Sequence, residues 1–194
     1  MALDDSPARF QVISSDDLIN ELVRRPVSVD KAMSTLSDTA GIYAWWADRH
    51  SIPGVPPCPH PDDDSLHLFY VGIAPARPTS SATLRSRIVG NHLSGNTGAS
   101  TFRFTLAALL MEDLRFTPQQ TKTKVVLPRE QNRRLSNWQK DHLHLTWAEV
   151  DQPWLVESEV IERLKPPLNL ASNSAHPFHA RVTSARARFR AAAQ

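Results

Sequence analysis

The sequence predicts an α/β fold of the α+β type, with a small, mainly antiparallel three-stranded sheet flanked by helices. Two observations carry this expectation. Three short apolar and aromatic runs, at 41–46, 67–73 and 143–150, have the length and composition of strands. Around them lie segments that open on hydroxyl or carboxylate residues, or close on proline, as helices do.

Ser14, Ser15, Asp16 and Asp17 can cap a first helix through Leu18–Val23, which Pro26 stops. Gly41 to Trp46 reads as a buried strand. His67 to Ile73 reads as a second, with Leu66, Leu68 and Tyr70 on one face and Phe69 and Val71 on the other. The intervening residues 51–64 hold five prolines, which exclude helix and central strand. That stretch is an extended surface loop: a tolerated insertion, a lid or a partner-binding segment. A short helix is expected from Thr83 to about Gly90, and a second from Thr101 to Met111, capped by Ser100. Residues 117–128 form a polar connection with a short strand at Lys124–Leu127. Arg129 to Leu143 is helical, and Leu143 to Val150 alternates as a third strand. Trp154 to Lys165 is a helix closed by Pro166-Pro167, and a basic helix runs from His179 to Ala193. In domain terms, 1–39 is an N-terminal helical extension, 40–170 the core domain with its 51–64 insertion, and 171–194 a basic C-terminal helix.

The bulk properties bound the compartment more than the function. No apolar run approaches a membrane span, and the acidic start, Met1 to Asp5, has no secretory signal. A single cysteine, Cys58, cannot form an internal disulfide, in agreement with a cytoplasmic location. Charge is unevenly spread: residues 1–80 hold 6 Lys/Arg against 11 Asp/Glu, and 81–194 hold 16 against 9. A basic second half suits phosphate binding, or is simply a solvated surface.

The helix that begins at Glu157 carries the sharpest local signal. At about 100° per residue, Val160, Ile161 and Leu164 fall within roughly 60° of Glu157, while Glu159, Glu162 and Arg163 point away. Glu157 therefore sits on the apolar stripe, where an ionised carboxylate is costly unless paired or metal-bound. The competing reading is a first-turn carboxylate that stabilises the helix dipole or meets an arginine.

Gly41-Ile42-Tyr43, Tyr70-Val71-Gly72, Leu84-Arg85-Ser86-Arg87 and the run from Glu157 through Pro166-Pro167-Leu168-Asn169 occur in that order. Together they resemble the motifs of the GIY-YIG nuclease superfamily over about residues 40 to 170. The resemblance implies a Mg²⁺-dependent endonuclease acting on nucleic acid, DNA favoured over RNA, with Mn²⁺ a possible substitute. It assigns catalytic roles to Tyr43, Tyr70, Arg87 and Glu157, with Glu157 the metal ligand. Gly41, Gly72 and Asn169 are structural supports. The sequence departs from the family pattern in two places. The link between the tyrosine motifs is long, because of the proline-rich loop. One helical turn after Arg87, where relatives often carry His or Tyr, stands Asn91, with His92 next. Either Asn91 takes that place, or the helix loosens at Gly90 and His92 swings in; His92 is the preferred candidate.

These residue types suit phosphodiester hydrolysis, which needs a deprotonated in-line water and positive charge on the phosphate. A Mg²⁺ at Glu157 and the Arg87 guanidinium supply charge. Tyr43 is the implied general base and needs a cationic neighbour, because a phenol titrates near 10 in water. Tyr70 would orient water or phosphate. Arg85, Ser100, Arg103, Arg186 and Arg190 are the candidate nucleic-acid contacts, Ser100 and Arg103 through the capped turn after Gly95–Gly98. Cys58 and His60 lack the paired spacing of a zinc site. The rival functions are a nucleic-acid-binding module of the same fold with weak or no catalysis, and a protein-interaction module using the proline-rich loop.

Overall fold

The structure, a computed structural model, describes residues 14–193. The acidic start at Met1 to Asp5 lies outside them. The elements in chain order are α1 (Ser15–Leu22), β1 (Val27–Ser28), α2 (Val29–Thr35), β2 (Gly41–Asp48), β3 (Pro59–His60), β4 (Asp63–Ala74) and a π-helix (Ser86–Leu93). There follow α3 (Thr101–Leu109), β5 (Gln119–Gln120), β6 (Val125–Val126), α4 (Arg129–His142), β7 (Leu143–Glu149), α5 (Glu157–Leu164) and α6 (His179–Ala191).

The main sheet is antiparallel throughout and has five strands rather than three, in the order β1-β7-β2-β4-β3. The three long strands are those legible in the sequence. The two additions are edge strands of two residues each, too short to show any periodicity. β5 and β6 form a separate small hairpin.

A bulge sets the faces of β4. Trp45 pairs with Tyr70 and Trp46 with Leu68, so Phe69 is an extra residue. Simple alternation would put Leu68 and Tyr70 on one face. Instead Leu68 joins Val71 and Ile73 in one core layer, while Phe69 and Tyr70 turn to the other, beside Tyr43 and Trp45.

Both faces of the sheet are covered. On one side, Leu18 and Leu22 of α1 and Val160 and Ile161 of α5 pack onto Ile42, Ala44 and Trp46. Burial of each such Leu or Ile is worth about 1.5–3 kcal/mol. α1 begins in a capping box between Ser14 and Asp17. It is latched to α5 by Arg163–Asp16 at 2.5 Å and by Ser15 Oγ donating to Glu159 at 2.5 Å. Trp46 Nε1 donates to Thr146 Oγ1, which donates to the Leu22 carbonyl, so the end of α1 is tied to the sheet. The opposite side holds the larger core, with Tyr43, Trp45, Phe69, Phe102, Leu106, Leu135 and Phe189.

The proline-rich segment is anchored at intervals. Ile52 is buried, the Leu68 amide donates to the Cys58 carbonyl, and Arg181 of α6 donates to the Pro53 carbonyl at 3.1 Å. His60 is buried and bonded to the Arg24 carbonyl.

Candidate active site

Tyr43 lies in the middle strand β2 and faces Gly72 of β4 across the register. A Cβ at Gly72 would fall 2.5 Å from the Tyr43 hydroxyl and 2.8 Å from Tyr70 Cε1. Glycine there is therefore a steric necessity, leaving the room in which both tyrosine rings meet. Gly41 serves a similar end, since a Cβ would run into the Ala148 carbonyl and Leu84.

The helix after Leu84 brings His92, and not Asn91, against Tyr43. Ser86–Leu93 is wound as a π-helix, whose hydrogen bonds span five residues; Ser94 N–H, for example, meets the Val89 carbonyl at 3.0 Å. That winding brings the fifth residue after Arg87 onto Arg87's face. His92 is fully buried, with Nε2 2.5 Å from the Tyr43 hydroxyl and Nδ1 2.6 Å from Ser100 Oγ. Asn91 makes neither contact. The rings of Tyr43, Trp45, Tyr70 and Phe102 all stand within 6.5 Å of the imidazole. This aromatic enclosure, with Arg87 and Arg103 nearby, holds the His92 pKa well below its ordinary value, so the ring is neutral.

Ser100 and Arg103 have duties inside the protein. Ser100 Oγ caps α3 by accepting from the Arg103 amide at 3.0 Å. Arg103, expected at a phosphate, is instead fully buried. Its Nη1 donates to the carbonyls of His92 and Leu93 and to Gln139. Its Nη2 donates to the Asn132 carbonyl and Ser136, and Nε to Asn132 Oδ1. The guanidinium thus satisfies the last carbonyls of the π-helix and pins it to α4. Burial pushes its pKa down to about 10. Arg85 is also turned away, donating from Nη1 to the carbonyls of Met33 and Leu36 at the end of α2.

Arg87 and Glu157 complete the cluster. Arg87 adjoins the Tyr43 hydroxyl and lowers its pKa, but burial outweighs it and holds the phenol well above its ordinary value. Tyr70 is pushed up to about 12, again by burial. Arg87 Nε is buried with no hydrogen-bond partner, a donor awaiting an acceptor. Glu157 opens α5 half-buried on the same stripe as Val160 and Ile161, while Glu159, Glu162 and Arg163 are exposed. Burial raises its pKa and Arg87 opposes that. Among the described residues no donor or cation pairs with its carboxylate. An unpartnered, half-buried carboxylate fits a hydrated divalent cation, which binds through one or two carboxylates and keeps its waters. No cluster of three or more His, Cys, Asp or Glu gathers among the described residues.

Asn169 supports the far end. Its Oδ1 accepts from Val71 N–H at 2.9 Å and its Nδ2 donates to the Val71 carbonyl at 2.8 Å, closing the edge of β4 beyond β3. Beside the cluster, Ser100, Arg186 and Arg190 line one cleft that the sequence did not assemble. Lys124 and Phe104, also on its wall, were read in the sequence only as parts of a strand and a helix, with no functional role.

The GIY-YIG catalytic domain family matches residues 41–188, well over half of the chain. The chain belongs to the GIY-YIG family. No curated protein and no solved structure matches it. Membership gives this GIY-YIG domain a nuclease-type function, a hydrolase whose substrate is nucleic acid, in a family generally dependent on a divalent metal. No described helix is long and apolar enough to cross a membrane.

Proposed function

We propose that the chain is an endonuclease that hydrolyses DNA phosphodiester bonds with one Mg²⁺ held by Glu157 and Tyr43 as general base. The observation that carries this reading is the 2.5 Å contact between the Tyr43 hydroxyl and a neutral, buried His92, beside Arg87 and Glu157. Burial opposes both a Tyr43 phenolate and a His92 imidazolium, so the relay depends on the negative charge of the incoming phosphate to offset the positive charge that forms on His92. Tyr43 takes a proton from the attacking water as its hydroxyl proton passes to His92 Nε2. Nδ1–H then donates to Ser100 Oγ, which has a second lone pair beside the one serving the Arg103 amide. The water oxygen bonds to phosphorus, the 3′-oxygen leaves with a proton from solvent, and the His92 proton returns through Tyr43 to solvent as product departs, so one proton is taken up and one released. Arg87 donates to a non-bridging oxygen from its buried Nε–H, which has no partner in the protein. Tyr70 holds the phosphate or water from the Phe102 side. A divalent cation at Glu157 would supply further positive charge to the phosphate and the leaving oxygen.

The second reading, a binding module with weak or no catalysis, is favoured by the full burial of Tyr43 and His92, which disfavours the charged form of each and so weakens both as bases. The two are separated by incubating the protein with supercoiled plasmid, single-stranded DNA and RNA, each with Mg²⁺, Mn²⁺ or EDTA. Metal-dependent cutting that disappears in Tyr43→Phe supports the nuclease. Binding without cutting across all substrates and metals supports the module.

A further inference from the structure

We propose that the cleft between the start of α3, the β5–β6 hairpin and α6 holds a backbone phosphate of the nucleic-acid strand beside the scissile one. The cleft has a volume of about 440 Å³, roomier than a lone phosphate requires. Its wall carries three cations, Lys124, Arg186 and Arg190, and no carboxylate. The two arginines stand four residues apart on α6, a like-charge spacing that is unfavourable without a counter-anion. Among the described residues neither forms an ion pair, whereas Arg188, between them in sequence, reaches Glu112 at 4.0 Å. Both guanidinium groups lie over the Phe104 ring, at 5.4 Å and 5.0 Å from its centroid, so they are held in place before any ligand arrives. Phe104 is itself fixed against Phe189.

Two further features aim the cleft at an anion on the path of the substrate. The first turn of α3 borders the cavity through Ser100, Thr101 and Phe104, which places the positive end of the helix beside it. Ser100, also on the wall, is the residue that bonds His92, so the cleft and the catalytic cluster share a side chain. Arg186 lies close enough for its charge to be felt at Tyr70. Gly98 closes the hairpin side, since a Cβ there would meet the Lys124 stem at 3.0 Å. The occupant rests on the nuclease reading, because it is the substrate strand that passes the cluster.

The test is fluorescence anisotropy of a fluorescein-labelled DNA duplex and single strand in EDTA, where nothing is cut, across a series of salt concentrations. Arg186→Gln/Arg190→Gln should weaken binding roughly tenfold or more. The same variant should reduce the slope of log affinity against log salt by about one. Lys124→Gln, on the exposed hairpin, should move both in the same direction, so the result does not depend on one variant's folding. Arg188→Gln should leave both unchanged. Inorganic phosphate should displace the strand only at far higher concentration. Unchanged affinity and slope in both cleft variants overturn the proposal, as does free phosphate binding as tightly as the strand. Failure of the nuclease reading has a different signature: wild type that never cuts with metal, whatever the cleft variants do to binding.

Discussion

Gly72→Ala tests the packing that sets the two tyrosines. The added methyl would lie 2.5 Å from the Tyr43 hydroxyl, 2.7 Å from Cζ and 2.8 Å from Tyr70 Cε1. Comfortable contact begins at about 3.5 Å, so the Tyr43 hydroxyl must retreat by roughly 1 Å. Its hydrogen bond to His92, now 2.5 Å, must then bend or break. Overpacking costs about 1–3 kcal/mol, and alanine returns about 0.5–1 kcal/mol relative to glycine in a strand. The net loss is about 0–2.5 kcal/mol, a fall in Tm of at most about 10 °C for a chain of this size. Such a protein stays folded at room temperature. A misplacement of about 1 Å at reacting groups nevertheless costs on the order of 100-fold in rate. Thermal unfolding and plasmid nicking should therefore diverge: slightly lower Tm, rate down about 100-fold. Gly90→Ala is the control, because a Cβ there meets nothing within 4 Å. A Gly72→Ala protein that unfolds and cuts like wild type would show that the tyrosines are not placed as described.

Three further outcomes are expected. Arg103→Met leaves the His92 and Leu93 carbonyls and the Gln139 and Asn132 acceptors without their buried donor, at a cost of about 3 kcal/mol or more in urea unfolding. Asn169→Ala removes both bonds to Val71 and should cost about 1–3 kcal/mol in the same assay. His92 has a folded pKa below its unfolded value, so its contribution to stability is full above about pH 6.5 and is lost as pH falls toward the folded pKa. The slope should reach about 1.4 kcal/mol per pH unit, and His92→Gln should flatten it; an unchanged profile in that variant would show that His92 is not held neutral.

Much of this was legible because apolar runs are long and caps are local. The strands from Gly41, in β4 and from Leu143 announce themselves, as does the cap at Ser100. The half-burial of Glu157 was legible from its position on an apolar stripe, a pattern that needs no tertiary information, whereas its role came from the resemblance alone. The Phe69 bulge was not legible, because alternation assumes no inserted residue, and one insertion turned Tyr70 to the other face. The choice between Asn91 and His92 depended on whether the helix bonds over four residues or five, which composition does not report. Arg103 read as a phosphate contact because nothing in its neighbourhood in sequence reveals that Asn132, Ser136 and Gln139 come to meet it from α4. The helix α2 carried a usable signal in Ser28, whose side chain caps it, but at seven residues it offers too little periodicity to stand out.

The most direct measurement is the nicking rate of supercoiled plasmid by wild type and Glu157→Gln with Mg²⁺ and with EDTA. Glu157 makes no hydrogen bond or ion pair with the described residues, so the variant should fold as wild type does, and with one negative charge fewer it should bind DNA in EDTA at least as tightly. The account predicts cutting by wild type with Mg²⁺ alone and none by Glu157→Gln in either condition. Equal cutting by the two proteins, or cutting by wild type undiminished in EDTA, would contradict it.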